Sequence, residues 1–105
     1  MNKVFLMGRL TSNPDYRQNQ TGTSARYTLA VDRFKEGTDY IRCVAFNKAA
    51  DFADKYLMQG TKVLVSGRIQ TGSYEKNGQK VYTTDVIIET QEFAESKKEE
   101  ETPFI

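Results

Sequence analysis

The chain has 105 residues, which is enough for one domain with a modest hydrophobic core. It contains no histidine and one cysteine, Cys43, so the commonest general base and metal ligand are absent and an intramolecular disulfide is excluded. The net charge of +1 neither requires nor excludes a polyanionic partner.

The charges are distributed unevenly along the chain. Residues 1–93 hold 13 Lys or Arg and 10 Asp or Glu, a net of +3, whereas residues 94–105 hold 2 Lys and 4 Glu, a net of −2. No apolar stretch is long enough to span a bilayer, and the N-terminus lacks the apolar region of a signal peptide. We therefore expect a cytoplasmic protein without a membrane partner, with one domain over residues 1–93 and a solvated acidic tail over 94–105.

The first predicted strand, residues 3–10, is apolar on both faces. Val4 and Leu6 lie on one side, and Phe5 and Met7 lie on the other. A strand of this kind is usually buried on both faces. The second face is covered either by neighbouring strands of the same domain or by another subunit. Residues 13–15 then break the strand, and residues 19–23 form a polar turn.

The second and third predicted strands, residues 24–33 and 39–47, alternate between a core face and an outer face. Tyr27 and Leu29 of the second strand point to the core. On the third strand Tyr40, Arg42, Val44 and Phe46 share one face, and Ile41, Cys43 and Ala45 share the other. Two aromatic rings beside a guanidinium form either a platform for bases and phosphates or an ordinary strand face packed under a helix.

A helix is predicted over residues 48–58, with Asn47 as its N-cap and Gly60 as its C-terminal cap. The apolar residues recur at helical spacing on a single face. This face consists of Ala49, Phe52, Ala53, Tyr56 and Leu57. Tyr56 is therefore expected to lie in the core.

The last two strands are predicted over residues 61–70 and 81–93. Val63, Val65 and Ile69 point inward, and Gly67 marks a bulge. Asn77-Gly78 predicts a hairpin with a type I′ turn. The pattern favours the core for Tyr82 without deciding it, and the same holds for Tyr16 in the first half of the chain.

The predicted order is three strands, a helix and two strands. This is the order of an OB-fold, an all-β, five-stranded antiparallel Greek-key barrel with one helix between strands three and four. An SH3-like barrel would lack the helix. A ferredoxin-like fold would need a helix between strands one and two, where residues 11–23 contain too many breakers.

Seven segments of the sequence, taken in order, resemble the bacterial and phage single-stranded DNA-binding proteins (SSB). They are NKVFLMGRL at 2–10, NPDYR at 13–17, TLAV at 28–31, YIRCVAFNK at 40–48, KYLMQG at 55–60, VSGRIQTGSY at 65–74 and GQKVYTTDV at 78–86. The resemblance implies an OB-fold, a homotetramer, and sequence-independent coating of single-stranded DNA during replication, recombination and repair.

The resemblance also implies where bases would stack. The aromatic positions of the family correspond to Tyr40, Phe46 and Tyr74, and less closely to Phe34, because the loop after residue 33 is shorter than usual. Tryptophan, which is frequent at these positions in the family, is absent from this chain. Tyrosine and phenylalanine also present a π-face, so stacking is still expected.

Basic residues are expected to contact phosphates and to make DNA affinity dependent on salt. Arg42 and Lys48 flank the aromatic pair on the third strand. The other candidates are Lys3, Arg9, Arg33, Lys62, Arg68, Lys76 and Lys80.

The C-terminal residues resemble the acidic peptide through which the family docks on replication and repair proteins. The corresponding residues are Glu99, Glu100, Glu101, Pro103, Phe104 and Ile105. Family members usually carry aspartates and end in phenylalanine, whereas here Ile105 follows Phe104. The alternative is a merely solvated, charged end.

Two other functions compete with this interpretation. An OB-fold replication-restart or RNA-binding module would share the fold and prefer other ligands. A nuclease would need clustered carboxylates and a metal, but the acidic residues are scattered along the chain. We therefore expect a protein that has no catalytic residues and binds neither a metal ion nor a cofactor.

Overall fold

The computed structural model describes residues 1–95 and consists of six strands and one short helix. The strands are β1 (Val4–Leu10), β2 (Asp15–Asn19), β3 (Gly22–Asp32), β4 (Thr38–Phe46), β5 (Lys62–Lys76) and β6 (Gln79–Phe93), and the helix is α1 (Lys48–Tyr56). The predicted all-β class with one helix is confirmed. No helix of the described residues is long and apolar enough to cross a membrane.

Strand β2 is absent from the sequence prediction, which treated its residues as part of a break and a turn. It pairs antiparallel with β3 along its whole length, from Asp15↔Arg26 to Asn19↔Gly22. The segment was missed because Tyr16 is its one large apolar residue, so no alternation is visible. With β2 included, the helix lies between strands four and five rather than between three and four.

The sheet closes into a ring. Its strand order is β1-β5-β6-β4-β3-β2, and β1 also pairs with β3 at Arg9↔Ala30 and Leu10↔Leu29. All pairings are antiparallel except the short contact of β4 with β6, which is parallel at Cys43↔Val86 and Val44↔Ile87. The predicted fully antiparallel barrel is therefore wrong at this one junction.

The core lies inside the ring and under the helix. Its buried members alternate along the strands as predicted, and they are Leu10, Ala25, Tyr27, Leu29, Cys43, Ala45, Ala50, Ala53, Leu57, Val63, Val65, Val86 and Ile88. Tyr27 satisfies its hydroxyl by donating a 2.7 Å hydrogen bond to Gln91 Oε1. Gln91 Nε2 in turn donates to the Ala49 carbonyl at 2.7 Å, which ties the helix to the barrel.

Helix α1 is shorter than predicted, and two of its predicted features are wrong. Asn47 precedes the helix at a positive φ of 54°, and its side chain makes no capping hydrogen bond. Gly60 lies in the following turn, because the helix ends at Tyr56. Tyr56 is half exposed at the end of the helix, where its ring lies 5.0 Å from that of Phe52.

Strands β5 and β6 form a long hairpin that extends beyond the core. Its turn has Asn77 at φ 52° and Gly78 at φ 78°, which confirms the predicted type I′ turn. The predicted bulge is also confirmed, because the register shifts between Ser66 and Gly67. A Cβ atom at Gly67 would approach the Ile87 carbonyl oxygen to 2.1 Å, so only glycine fits there.

Every residue of β5 from Arg68 onward is exposed. This extension explains why the core assignment of Ile69 is wrong and why the pattern's preference for the core at Tyr82 is wrong as well. Ile69 is 44% exposed, and Tyr82 is 75% exposed. Both have the alternation of a core-facing residue, but the hairpin has passed the end of the core at these positions.

Candidate nucleic-acid interface

The outer face of β4 carries two exposed aromatic rings. Tyr40 is 68% exposed and Phe46 is 50% exposed, while Cys43 and Ala45 on the opposite face are buried. Val44 lies between the rings in sequence and is almost fully covered. The alternation predicted for this strand is confirmed, and the rings are open to solvent rather than packed under the helix.

Strand β3 extends this face on one side. Residues directly opposite each other in an antiparallel pair share a face, and Ala30 lies opposite Tyr40, Thr28 opposite Arg42, and Arg26 opposite Val44. The neighbours of the rings are therefore small or cationic. A shallow groove crosses the face above Val44, with Arg26 and Arg42 in its walls.

Strand β6 extends the face on the other side through Asp85. The Arg42 Nε lies 3.1 Å from Asp85 Oδ1, and the Asp85 side chain is 20% exposed. The Arg42 side chain is about half exposed. Asp85 thus forms an ion pair with the guanidinium, about half of whose side chain stays open to solvent.

Tyr74 lies on the same face, further along the hairpin. Asp85 is paired with Gln70, and Tyr74 lies four residues after Gln70 on β5, so the three side chains share one side of the ribbon. Tyr74 is 52% exposed. Lys76 and Arg68 share this side, and Arg68 donates a 2.9 Å hydrogen bond to Gln70 Oε1.

Phe34 lies in the loop that joins β3 to β4 and is 95% exposed. The loop is closed by Arg33, whose Nε and Nη2 donate to Asp39 Oδ1 at 3.0 and 2.9 Å. The hydrogen bond to Asp39 also raises the pKa of the Arg33 guanidinium. Phe34 therefore covers no core edge and lies on a closed loop that leads into the aromatic face of β4.

Three of the predicted DNA contacts lie elsewhere. Arg9 and Lys62 face each other on β1 and β5, and Lys3 lies at the start of β1. They surround the exposed side chains of Phe5 and Met7 instead of the aromatic face. Lys3 pairs with Glu89 at 2.6 Å and Arg9 with Glu95 at 3.0 Å, and the Arg9 hydrogen bond lowers the pKa of Glu95.

Of the two remaining predicted cations, one lies beside the aromatic face and the other on the opposite face of the hairpin. Lys48 is exposed at the first position of the helix, two residues after Phe46. Lys80 lies on the hairpin, on the face opposite to Tyr74. Arg26 was missed by the sequence analysis, although its alternation with Thr28 and Ala30 would have placed it on the face of Tyr40.

The family model described as the single-strand binding protein family matches residues 1–94, which covers the whole ring and hairpin. The chain belongs to this family. A single-stranded DNA-binding protein of Clostridium perfringens is 46% identical over 101 residues, covering 91% of this chain and 67% of that protein. The protein of that name from Fusobacterium nucleatum is 42% identical over 106 residues, covering 92% of this chain and 69% of the relative.

A relative of somewhat lower identity carries the same name. Single-stranded DNA-binding protein 1 of Staphylococcus aureus is 40% identical over 110 residues, which covers 97% of this chain and 70% of that protein. Family membership carries the OB-fold with it, in agreement with the strand order observed. The predicted partner-binding residues 99–105 lie outside the described residues.

The next two observations concern metal binding and thiol chemistry within residues 1–95. Within residues 1–95, no group of three or more His, Cys, Asp or Glu side chains is placed to hold a metal ion. The thiol of Cys43 is buried, and burial, with a smaller contribution from the negative charge of Asp85, raises its pKa to about 12. A thiol of this kind is protonated at neutral pH and does not act as a nucleophile.

Proposed function

We propose that this chain binds single-stranded DNA without sequence preference, as a non-catalytic cytoplasmic coat during replication, recombination and repair. The single observation that carries the proposal is the face formed by Tyr40, Arg42, Phe46 and Tyr74, where half-exposed rings alternate with a held guanidinium. The names of the relatives give the same ligand.

Stacking supplies most of the binding free energy in this proposal. Each base that stacks on an aromatic side chain contributes about 1–3 kcal/mol. Tyr40, Phe46, Tyr74 and Phe34 are the stacking residues, and every base offers a π-face, so no sequence preference arises. Arg42, Lys48 and Lys76 contact phosphates, and Arg26 joins them from β3.

The experiment compares two exposed tyrosines that lie on different parts of the surface. Tyr40→Ala is expected to weaken binding of labelled oligo-dT about 5- to 150-fold, the equivalent of one lost stacking contact. Tyr56→Ala, at the end of the helix, is expected to leave binding unchanged. Anisotropy titrations at two salt concentrations measure both variants.

The same titrations distinguish the competing functions. Tighter binding of matched RNA or of duplex DNA than of oligo-dT would favour the replication-restart or RNA-binding alternative. Equal loss of affinity in both tyrosine variants would show that the aromatic face is not the site.

We infer that the assembly is a homo-oligomer, a tetramer by resemblance to the family, and that β1 forms the contact. Phe5 and Met7 project outward from β1 and are flanked by Leu64, which lies opposite Met7 on β5. The ion pairs Lys3–Glu89 and Arg9–Glu95 border this apolar area. An apolar centre with a polar rim is the usual composition of a subunit interface.

The acidic residues 99–101 and Phe104 are proposed to dock on replication and repair proteins. An aromatic side chain can enter an apolar pocket while glutamates meet a basic rim. The same charges would compete with DNA for the basic face. Deletion of residues 94–105 is therefore expected to tighten oligo-dT binding at low salt, and unchanged affinity in anisotropy titrations would contradict this competition.

A further inference from the structure

The hairpin of β5 and β6 presents a tyrosine on each of its two faces. Tyr74 lies opposite Val81, and Ser73 lies opposite Tyr82. Because successive residues of a strand point to opposite faces, Tyr74 and Tyr82 project from opposite sides of the ribbon. The face that contains Tyr74 is continuous with β4, so Tyr82 is not part of the site already described.

Tyr82 has a cation for a neighbour. Lys80 lies two residues away on the same face, and its Nζ is 6.0 Å from the centre of the Tyr82 ring. The ring is 75% exposed, more than Tyr40, Phe46 or Tyr74. An accessible π-face beside a mobile cation is the combination that binds a base and its phosphate.

The surroundings of Tyr82 argue against a packing role. The residues that share its face on the outer part of the hairpin are small and polar or charged: Ser73, Thr71, Thr84, Glu75 and Lys80. An exposed tyrosine is ordinary in itself, and tyrosine favours strands. The nearest exposed apolar side chain on this face is Ile69, which is 44% exposed and lies four residues before Ser73 towards the core, so the residues directly around the ring form no apolar area for docking a protein.

We propose that Tyr82 and Lys80 form a second contact for single-stranded DNA, on the face of the hairpin opposite to Tyr74. The proposal rests on the proposed function, and it adds that one bound strand passes over both faces of the hairpin. A single base cannot reach both rings, because the ribbon separates them. The contact at Tyr82 therefore contributes only to strands long enough to pass around the hairpin.

The test is a series of oligo-dT lengths from about 4 to about 30 nucleotides, which covers the range of about 4–16 nucleotides for one OB-fold. Tyr82→Ala is expected to weaken binding of the long oligomers at least about fivefold and to leave the shortest unchanged. Tyr82→Phe keeps the π-face and is expected to bind like the unmodified chain. Thr84→Ala, exposed on the same face, is the matched control.

A second variant tests the cation. Lys80→Gln is expected to reduce the slope of log affinity against log salt by about 0.7 for long oligomers, the value for one phosphate contact on a single strand. The slope for the shortest oligomers is expected to stay the same. Thermal melting of each variant without DNA confirms that the hairpin still folds.

The outcomes separate this proposal from the proposed function. If Tyr40→Ala and Tyr74→Ala weaken binding while Tyr82→Ala equals Thr84→Ala at every length, the second contact is refuted and the proposed function stands. If none of the tyrosine variants matters, both are wrong. A lower oligomer mass for Tyr82→Ala with unchanged DNA affinity would assign this face to a subunit contact and overturn the proposal.

Discussion

Arg42 shows how single residues of the site contribute differently to the free energy of DNA binding. Its ion pair with Asp85 joins a half-exposed guanidinium to a largely covered carboxylate. Exposed ion pairs typically contribute about 0–1 kcal/mol, whereas one stacked base contributes about 1–3 kcal/mol. The ion pair therefore orients Arg42 for a phosphate, and the rings on either side account for most of the affinity.

Cys43 makes the stability of the chain sensitive to alkaline pH. Burial raises the pKa of its thiol from near 9 to about 12, so between these values the folded chain keeps a proton that the unfolded chain releases. The unfolded state then binds fewer protons, and the free energy of unfolding falls as pH rises above about 9. Burial also raises the pKa of the Tyr27 hydroxyl, which adds to the fall at higher pH.

The expected slope is up to about 1.4 kcal/mol per pH unit for one proton. Urea unfolding between pH 7 and pH 11, at one protein concentration, measures it. Cys43→Ala is expected to be less stable at pH 7 and to lose stability less steeply above pH 9. Parallel pH curves for the two chains would contradict this origin of the slope.

At the scale of elements, predictions that depend on neighbours in sequence succeeded. The face of Tyr40 and Phe46 follows from period-two alternation, the turn follows from Asn77-Gly78, and the bulge follows from Gly67. Each of these is set by backbone preferences within a few residues. The shared face of Tyr40 and Phe46 could therefore be predicted from local alternation, whereas Tyr74 and Phe34 entered the predicted site through the resemblance to the family.

Predictions that depend on distant partners failed or were missing. The alternation of Tyr82 identifies the side of the strand but not whether anything covers that side, and the hairpin passes the core there. The parallel contact of β4 with β6 brings Asp85 next to Arg42, and no local sequence pattern predicts this strand contact. The sequence of strand β2 is almost entirely polar and shows no strand pattern. The strand forms because it pairs with β3.

At the scale of the whole molecule, the net positive charge available for binding the phosphates of DNA is small. A net of +3 over residues 1–93 is small, and five of the described cations are held in ion pairs. Joining several copies multiplies the aromatic faces and raises the effective concentration of each for one long strand. Oligomerisation through β1 would therefore increase the affinity for long DNA without any new contact.

Phe5→Glu tests this arrangement. The side chain of Phe5 is 69% exposed while Val4 and Leu6 on the other face of β1 pack against the core, so the substitution is expected to leave the fold intact. A carboxylate in an apolar subunit contact has to be desolvated without a partner, and the assembly is expected to dissociate to smaller species. Sedimentation at micromolar concentration measures the mass.

The matched control is Tyr56→Glu, which places the same charge on another exposed aromatic position, at the end of helix α1. It is expected to keep the mass of the unmodified chain. Phe5→Glu should also bind long oligo-dT more weakly, while oligomers short enough for one subunit should bind as before, because the aromatic face itself is unchanged. If Phe5→Glu keeps the full mass, β1 is not the contact. If the unmodified chain has the mass of one subunit, the aromatic face must bind long strands without help from a second copy.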